Sequence, residues 1–206
     1  MHLVERFREW RIDRMTDRIA RRPRGRKARE TYGAEDAHSF LWEPVLDALA
    51  LGPDDRLLDV GCGGGAFLAR ARESGCAIAG LDHSRDMVRL ARAKTGARVE
   101  LAEATAMPFA AGEFTAVSCL VAFFFFADPV AALREMLRVL DPERGRVAVM
   151  TTAPEAKGTR AAPYPLASRG HFHTDDELVA FASEAGFRGA RMAHRDEWSQ
   201  LLVAQP

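Results

Sequence analysis

A glycine-rich segment followed by a second carboxylate is the part of this sequence that points most directly to ligand binding. The segment reads Asp59-Val60-Gly61-Cys62-Gly63-Gly64-Gly65 and lies between a short apolar run and a helical pattern. Glycines let the backbone turn sharply and approach a ligand closely, and the start of a helix offers free N–H groups. We therefore interpret the segment as a binding loop between a strand and a helix.

The loop alone fits two kinds of ligand. Gly61-x-Gly63-x-x-Ala66 satisfies the dinucleotide fingerprint, and Asp82 stands where that fingerprint places its ribose-binding acid. Asp59 favours a different ligand, because a carboxylate beside the loop repels a pyrophosphate and attracts an ammonium group. A ligand with an ammonium group at one end and a ribose at the other is S-adenosylmethionine. A nicotinamide dinucleotide is the alternative.

The pattern after residue 55 predicts the elements that position this loop. Short apolar runs alternate with helical periodicities, which indicates parallel strands with right-handed crossovers. A capping box at Thr174 starts a late helix that Gly186 ends, and a closing hairpin follows it. The predicted strands are 56–60, 77–81, 98–102, 116–122, 146–151, 188–194 and 198–204, and the predicted helices include 66–73, 85–94 and 129–140.

This alternation predicts an α/β fold, a three-layer α/β/α sandwich with a Rossmann-like, mostly parallel, seven-stranded sheet and an antiparallel C-terminal hairpin strand. Residues 1–37 are expected to form a basic helical arm or lid, and residues 38–206 the main domain. In the arm, Phe7 and Trp10 fall on one helical face and Met15 nearly opposite, so we expect a kink or cover on both sides. Residues 21–29 read as a loop, and residues 40–50 as a helix restarted near Pro44.

Several later segments resemble the class I S-adenosylmethionine-dependent methyltransferases of the small single-domain type, over about residues 38–204. They are LLDVGCGGG, GLDHS, the pair Glu103-Ala104 and LREMLRVLDP, in that order. The resemblance implies that the loop holds the methionine moiety, that Asp82 binds the ribose hydroxyls and that Glu103-Ala104 contacts the adenine. The residues expected to hold the cofactor are Asp59, Gly61, Gly63, Gly65, Asp82, His83, Met87, Glu103, Ala104, Met107 and Leu120.

The resemblance implies methyl transfer, with S-adenosylhomocysteine as a product. Transfer from a sulfonium is an in-line displacement that depends mainly on alignment, and a base is needed only for a protonated, weak nucleophile. His171 and His173 are the candidate bases, with solvated or helix-covering loop residues as the alternative. The four consecutive phenylalanines indicate an apolar or aromatic small-molecule substrate. The expected substrate contacts are Tyr32, His38, Trp42, Val121, Phe123 and Phe124.

Charge and composition limit the other possibilities. Residues 1–30 carry eleven Arg and Lys against five Asp and Glu, although the whole chain is neutral. The three cysteines form no metal-binding or disulfide pattern, and no signal peptide or membrane span is evident, so we expect a cytoplasmic monomer or homodimer without metal, membrane or nucleic-acid partners. Two alternatives remain: non-transfer chemistry such as cyclisation with the same cofactor, and RNA binding or modification through the arginine-rich arm.

Overall fold

Seven strands form one sheet with helices on both faces. The computed structural model describes residues 2–32, 38–164 and 166–206. The strands are β1 (Arg56–Val60), β2 (Ala77–Asp82), β3 (Arg98–Leu101), β4 (Ala116–Leu120), β5 (Arg146–Thr152), β6 (Arg188–Arg195) and β7 (Ser199–Gln205). The α-helices of the described residues are α1 (His2–Thr16), α2 (Gly25–Tyr32), α3 (Trp42–Leu49), α4 (Ala66–Ala71), α5 (Arg85–Thr95), α6 (Pro129–Val139) and α7 (Asp175–Ala185).

The sheet order is β3-β2-β1-β4-β5-β7-β6. Strands β1 to β5 pair in parallel, whereas β7 pairs antiparallel with both β5 and β6. One core cluster joins the sheet to α6 and α7, and a second joins its other face to α3, α4 and α5. The predicted three-layer, mostly parallel fold with an antiparallel hairpin is therefore confirmed.

The strand order reverses at β1, which has β2 on one side and β4 on the other. At this point the connections run to opposite sides of the sheet. The loops after the neighbouring strands therefore separate, and a crevice forms beyond the carboxyl ends of the strands. The glycine loop follows β1 directly, and Asp82 is the last residue of β2. The topology thus brings together the two features that the sequence identified separately.

Some predicted boundaries were wrong by a few residues. β4 ends at Leu120 and not at residue 122, because Val121 has a left-handed φ of 56° that leaves the strand conformation. The predicted helix 66–73 is α-helical only to Ala71 and ends in a 3₁₀ turn. The Thr174 capping box is present, and Gly186 ends α7 with a φ of 105°.

The N-terminal arm differs more from its prediction. The stretch 21–29 is not a loop throughout, because α2 starts at Gly25, whose N–H donates to the Asp86 carboxylate at 2.7 Å. After Thr16, the chain continues as a π-helical turn over Asp17–Arg21. Met15 is not covered on a second side but is 46% exposed. In the described residues no helix has the length and apolar character needed to cross a membrane.

Candidate functional site

A cavity of about 590 Å³ lies at the carboxyl ends of β1, β2 and β4. Its walls come from the glycine loop, the ends of the three strands, the N-terminal arm and the segment after β5. The lining residues are Ala20, Arg21, Arg22, Pro23, His38, Trp42, Asp59, Gly61, Cys62, Gly63, Gly64, Ala66, Phe67, Leu81, Asp82, His83, Ala102, Glu103, Ala104, Thr105, Leu120, Val121, Ala122, Phe124, Phe125, Phe126, Ala127, Ala161 and Leu166.

The glycine loop forms one wall through a backbone that side chains would obstruct. The N–H groups of Gly61 and Cys62 both donate to the carbonyl of Leu81, at 2.7 and 3.0 Å, which ties the loop to the end of β2. Gly61 has a φ of 76°, and a Cβ there would lie 2.5 Å from the Cβ of Ala122. A Cβ on Gly63 would meet nothing within 4 Å. Gly61 therefore allows the glycine loop to lie close to the loop after β4. Gly63 faces open space, where a ligand can approach the backbone.

Asp82 connects this loop to the start of α5. Its Oδ2 accepts from the N–H of Gly63 at 3.0 Å, and its Oδ1 accepts from the N–H of Ser84 at 2.7 Å. Burial raises the pKa of Asp82, while the two backbone hydrogen bonds oppose that rise. Each carboxylate oxygen retains acceptor capacity beyond its single hydrogen bond. Asp82 is thus held in a fixed orientation at the cavity wall.

Asp59 is the second buried carboxylate of the wall. Its side chain is 2% exposed and accepts a hydrogen bond from the Ser118 hydroxyl at 2.7 Å. Burial raises the pKa of Asp59 to about 7, and the nearby charge of Asp82 adds to the rise. A cationic group placed beside Asp59 would favour its ionised form and reverse part of that shift. This position is therefore suited to an ammonium group.

The far end of the cavity is polar and is bordered by the N-terminal arm. Arg22 pairs with Glu103 at 3.0 Å, and His83 Nδ1 lies 3.4 Å from the same carboxylate. His83 Nε2 hydrogen-bonds the carbonyl of Arg21, and the Ser84 hydroxyl donates to the carbonyl of Pro23 at 2.5 Å. Backbone contacts to the end of β2 and the start of α5 thus hold the arm against this part of the site.

The opposite end of the cavity is apolar. The ring of Trp42 packs edge to face on Phe67 at a centroid distance of 6.3 Å, and Phe124 stacks on Phe172 at 5.6 Å. Val121 also lines the cavity, and its left-handed backbone ends the strand conformation of β4. His38 also lines the cavity and has a left-handed φ of 62°. Non-glycine residues in this conformation are uncommon and concentrate at functional sites.

Twelve of the predicted site residues line the cavity. They are Asp59, Gly61, Gly63, Asp82, His83, Glu103, Ala104, Leu120, His38, Trp42, Val121 and Phe124.

Six further predicted site residues are described by the structure and do not line the cavity. Met87, Met107 and Phe123 are buried in the core, and Gly65 packs against α5 with its missing Cβ 3.0 Å from Ala91. The predicted bases His171 and His173 are not lining residues either; the His173 ring packs between Phe123 and Phe181. The side chain of Tyr32 lies outside the described residues.

Sequence reasoning missed two parts of the wall. Arg21, Arg22 and Pro23 belong to the site because the arm folds back over it, and their basic run was the available signal. Ala161 and Leu166 lie in the connection between β5 and α7, where no motif marks them. Within the described residues no group of three or more histidine, cysteine or acidic side chains is arranged to hold a metal ion.

Comparison with known proteins gives the class of this domain. Residues 58–149 match the protein family described as "Methyltransferase domain". The demethylmenaquinone methyltransferase of Thermus thermophilus is 39% identical over 110 residues, which cover 50% of this chain and 50% of that protein. The chain therefore spans about half the length of this curated relative.

Solved structures show the same fold. A methyltransferase from Aquifex aeolicus described as S-adenosylmethionine-dependent superposes with a TM-score of 0.66 at 22% identity, covering 80% of this chain and 89% of that one. The (4+2)-cyclase SpnF has a TM-score of 0.64 at 24% identity, with coverage of 77% and 61%. Residues 58–149 thus match a methyltransferase domain, and the chain has the fold of solved methyltransferases that are described as S-adenosylmethionine-dependent.

The cavity has the features that S-adenosylmethionine requires. The buried carboxylate of Asp59 could accept from an ammonium group, the carboxylate of Asp82 at the end of β2 could accept from ribose hydroxyls, and Gly63 leaves its backbone open to a ligand. The dinucleotide alternative fits less well, because Asp59 places a second acidic group at the loop where a pyrophosphate would lie. S-adenosylmethionine is the cofactor of this class of domain, and the residues of this site fit it.

Proposed function

We propose that this chain transfers a methyl group from S-adenosylmethionine to a small apolar or aromatic molecule. The observation that carries the proposal is that one cavity joins a cofactor-type end, at Asp59 and Asp82, to an aromatic end at Trp42 and Phe124. Because both sets of residues line the same cavity, a substrate in the aromatic end would lie next to the methionine part of the cofactor site. The name of the Thermus thermophilus relative gives a demethylated quinone as its acceptor, which is the same chemical class.

Different residues of the site would contact different parts of the cofactor. Asp59 would accept a hydrogen bond from the ammonium group, Asp82 would accept from the ribose hydroxyls, and Glu103 with Ala104 would contact the adenine. When bound, the cofactor supplies an electrophilic methyl group on a sulfonium. The apolar wall would exclude water and orient the acceptor, which is the main requirement of an in-line displacement.

An acceptor that starts as a phenol or enol would need a group to take its proton. His38 lies on the cavity wall, whereas the predicted bases His171 and His173 do not. An imidazole can accept a proton near neutral pH. Among the described residues of the apolar wall, His38 is therefore suited to this role. We therefore place His38 ahead of the other two histidines as the proton acceptor.

Binding of S-adenosylhomocysteine by the purified chain, measured by calorimetry, tests the cofactor site. Asp82→Ala is expected to weaken binding roughly 30-fold or more, because two or three hydrogen bonds to a charged group are lost. Asp54→Ala, an exposed acid before β1, is the matched control and is expected to bind normally. Equal affinity of the Asp82 variant and the control would contradict the ribose assignment, and a rise in melting temperature with NAD alone would favour a dinucleotide site.

Methyl transfer itself is tested with methyl-labelled S-adenosylmethionine and a panel of acceptors that starts with demethylmenaquinone and simpler quinols. The expected result is label in the acceptor and release of S-adenosylhomocysteine in equal amounts. Conversion of an acceptor without S-adenosylhomocysteine would instead favour non-transfer chemistry, the type of activity named for SpnF.

A further inference from the structure

The outward face of α1 combines exposed aromatic side chains with arginines. Phe7 and Trp10 are 60% and 51% exposed, and their rings stack at a centroid distance of 5.8 Å. The Arg14 guanidinium lies 5.2 Å from the centre of the Trp10 ring. Residues three, four and seven positions apart share one side of a helix. Phe7, Trp10, Arg11 and Arg14 are exposed at this spacing, and we refer to them as the outer face; Arg8 and Met15 are also exposed and lie at its edge, next to Arg11.

Glu5 and Glu9 lie on a different side of α1 from the outer face. Thr16 is 3% exposed and Ile12 is half-buried, so they mark the side of the helix that is nearer to the protein. Glu9 and Glu5 lie seven positions before these two residues, and seven residues are close to two full helical turns. Both glutamates are exposed, but they lie on that side of the helix and not among the arginines and aromatic rings of the outer face.

The outer face adjoins the mouth of the cavity. The chain leaves α1 through a π-helical turn directly into Ala20–Pro23, which line the cavity. In the middle of the helix, the carbonyl of Glu9 accepts a hydrogen bond at 3.4 Å from Arg169, which lies three residues after the lining residue Leu166. Two more exposed aromatics lie close in sequence to lining residues: Phe40, 74% exposed, and Tyr164, 68% exposed.

The outer face combines side-chain types that are also found on helices at membrane surfaces. Helices that lie in a membrane surface present aromatic and apolar side chains together with Lys and Arg, which attract anionic headgroups. Exposed apolar side chains beside a binding cavity also mark interaction sites. Nucleic acid would be attracted by the same charge. The apolar side chains of Phe7 and Met15, however, are stabilised more by entering the apolar part of a bilayer than by contacting nucleic acid.

We propose that the outer face binds the surface of an anionic lipid bilayer, with Phe40 and Tyr164 near the cavity as further contacts, and sets the cavity mouth against the membrane. The helix lies on the bilayer and does not cross it. An apolar acceptor dissolved in the membrane would then reach the aromatic end of the cavity with little passage through water. This inference revises the expectation that the chain has no membrane partner, and it does not depend on whether the site transfers methyl groups.

Flotation of the full chain with lipid vesicles tests the proposal. We expect it to float with vesicles of phosphatidylcholine and phosphatidylglycerol in equal parts and to remain unbound with phosphatidylcholine alone. Phe7→Ala combined with Trp10→Ala is expected to weaken binding roughly tenfold or more. Arg11→Glu combined with Arg14→Glu is expected to weaken it at least about tenfold and to reduce its dependence on salt.

Matched controls carry the same changes outside α1: Trp198→Ala at the turn between β6 and β7, and Arg72→Glu after α4. Both are expected to float like the unmodified chain. Melting temperature shows that each variant is folded, and S-adenosylhomocysteine affinity should be unchanged in all four. Equal binding to neutral and anionic vesicles, binding that survives both α1 double changes, or no vesicle binding would each overturn the proposal. If no vesicle binding is seen, a binding assay with single-stranded RNA would show whether the face binds RNA. Sedimentation of the chain alone would show whether it binds a second copy.

Discussion

Replacing Asp59 by asparagine tests the electrostatics of the cavity most directly. Asp59 is 2% exposed, and its pKa rises from 3.8 to about 7 in the folded protein. Each pKa unit corresponds to about 1.4 kcal/mol, so the ionised side chain costs the ligand-free fold about 4 kcal/mol at full ionisation. Asparagine keeps the oxygen that accepts from Ser118 but never becomes charged.

The sign of the effect follows from the direction of the shift. Below pH 3.8 the carboxyl is protonated in both the folded and the unfolded chain, and it costs nothing. As the pH rises, the unfolded chain releases the proton first, so the penalty grows and is complete above about pH 7. The stability of Asp59→Asn relative to the unmodified chain should therefore increase by about 4 kcal/mol from pH 4 to pH 8.

Urea unfolding at a series of pH values measures this difference. Any constant cost of the new amide N–H₂ group, about 1–3 kcal/mol if it lacks an acceptor, does not change with pH and does not affect the slope. Asp47→Asn, an exposed acid on α3, is the matched control and should show no such slope. A difference between Asp59→Asn and the unmodified chain that stays constant between pH 4 and 8 would refute the reasoning.

The same residue predicts how cofactor affinity depends on pH. An ammonium group needs the ionised carboxylate, so affinity for S-adenosylhomocysteine should fall up to about tenfold for each pH unit below about 7, with proton release on binding. Asp59→Asn should bind more weakly at pH 8 and lose this dependence. Calorimetry in two buffers of different ionisation enthalpy measures both quantities; identical pH profiles for the two proteins would show that the ammonium does not lie at Asp59.

The remaining predictions concern the frame of the site. Gly61→Ala should destabilise the fold by roughly 2–4 kcal/mol, because its φ is 76° and the new Cβ would overlap that of Ala122. Gly63→Ala, with open space around it, should cost only about 1 kcal/mol in the same thermal unfolding experiment, and a larger loss than for Gly61→Ala would count against the two-loop contact. The Arg146 guanidinium, 2.8 Å from Asp55, holds the pKa of that buried carboxyl well below its usual range. Asp55→Asn should therefore cost about 2–4 kcal/mol at neutral pH, and this difference should shrink as the pH falls below about 4; a cost that does not depend on pH would contradict the ion pair.

The sequence by itself determined the order of strands and helices and the binding loop. The alternation after residue 55 and the capping box at Thr174 are local patterns, and local backbone preferences decide them. The positions of Asp59 beside the binding loop and of Asp82 at the end of β2 could also be predicted, because both follow from runs of consecutive residues. The boundaries of β4 could not, because Val121 takes its left-handed conformation from the loops packed around it.

Only the tertiary structure decided which side chains share the cavity. The sequence places His171 and His173 in a plausible loop, yet the fold packs the ring of His173 against Phe123 and Phe181 and puts His38 on the wall. Residues 21–29 were expected to form a loop within the helical arm, whereas α2 begins at Gly25, whose N–H donates to Asp86, about sixty residues away in the chain. Contacts of this kind join segments that no local pattern connects. They contribute to stability only once the chain is folded, so a local sequence pattern does not predict them.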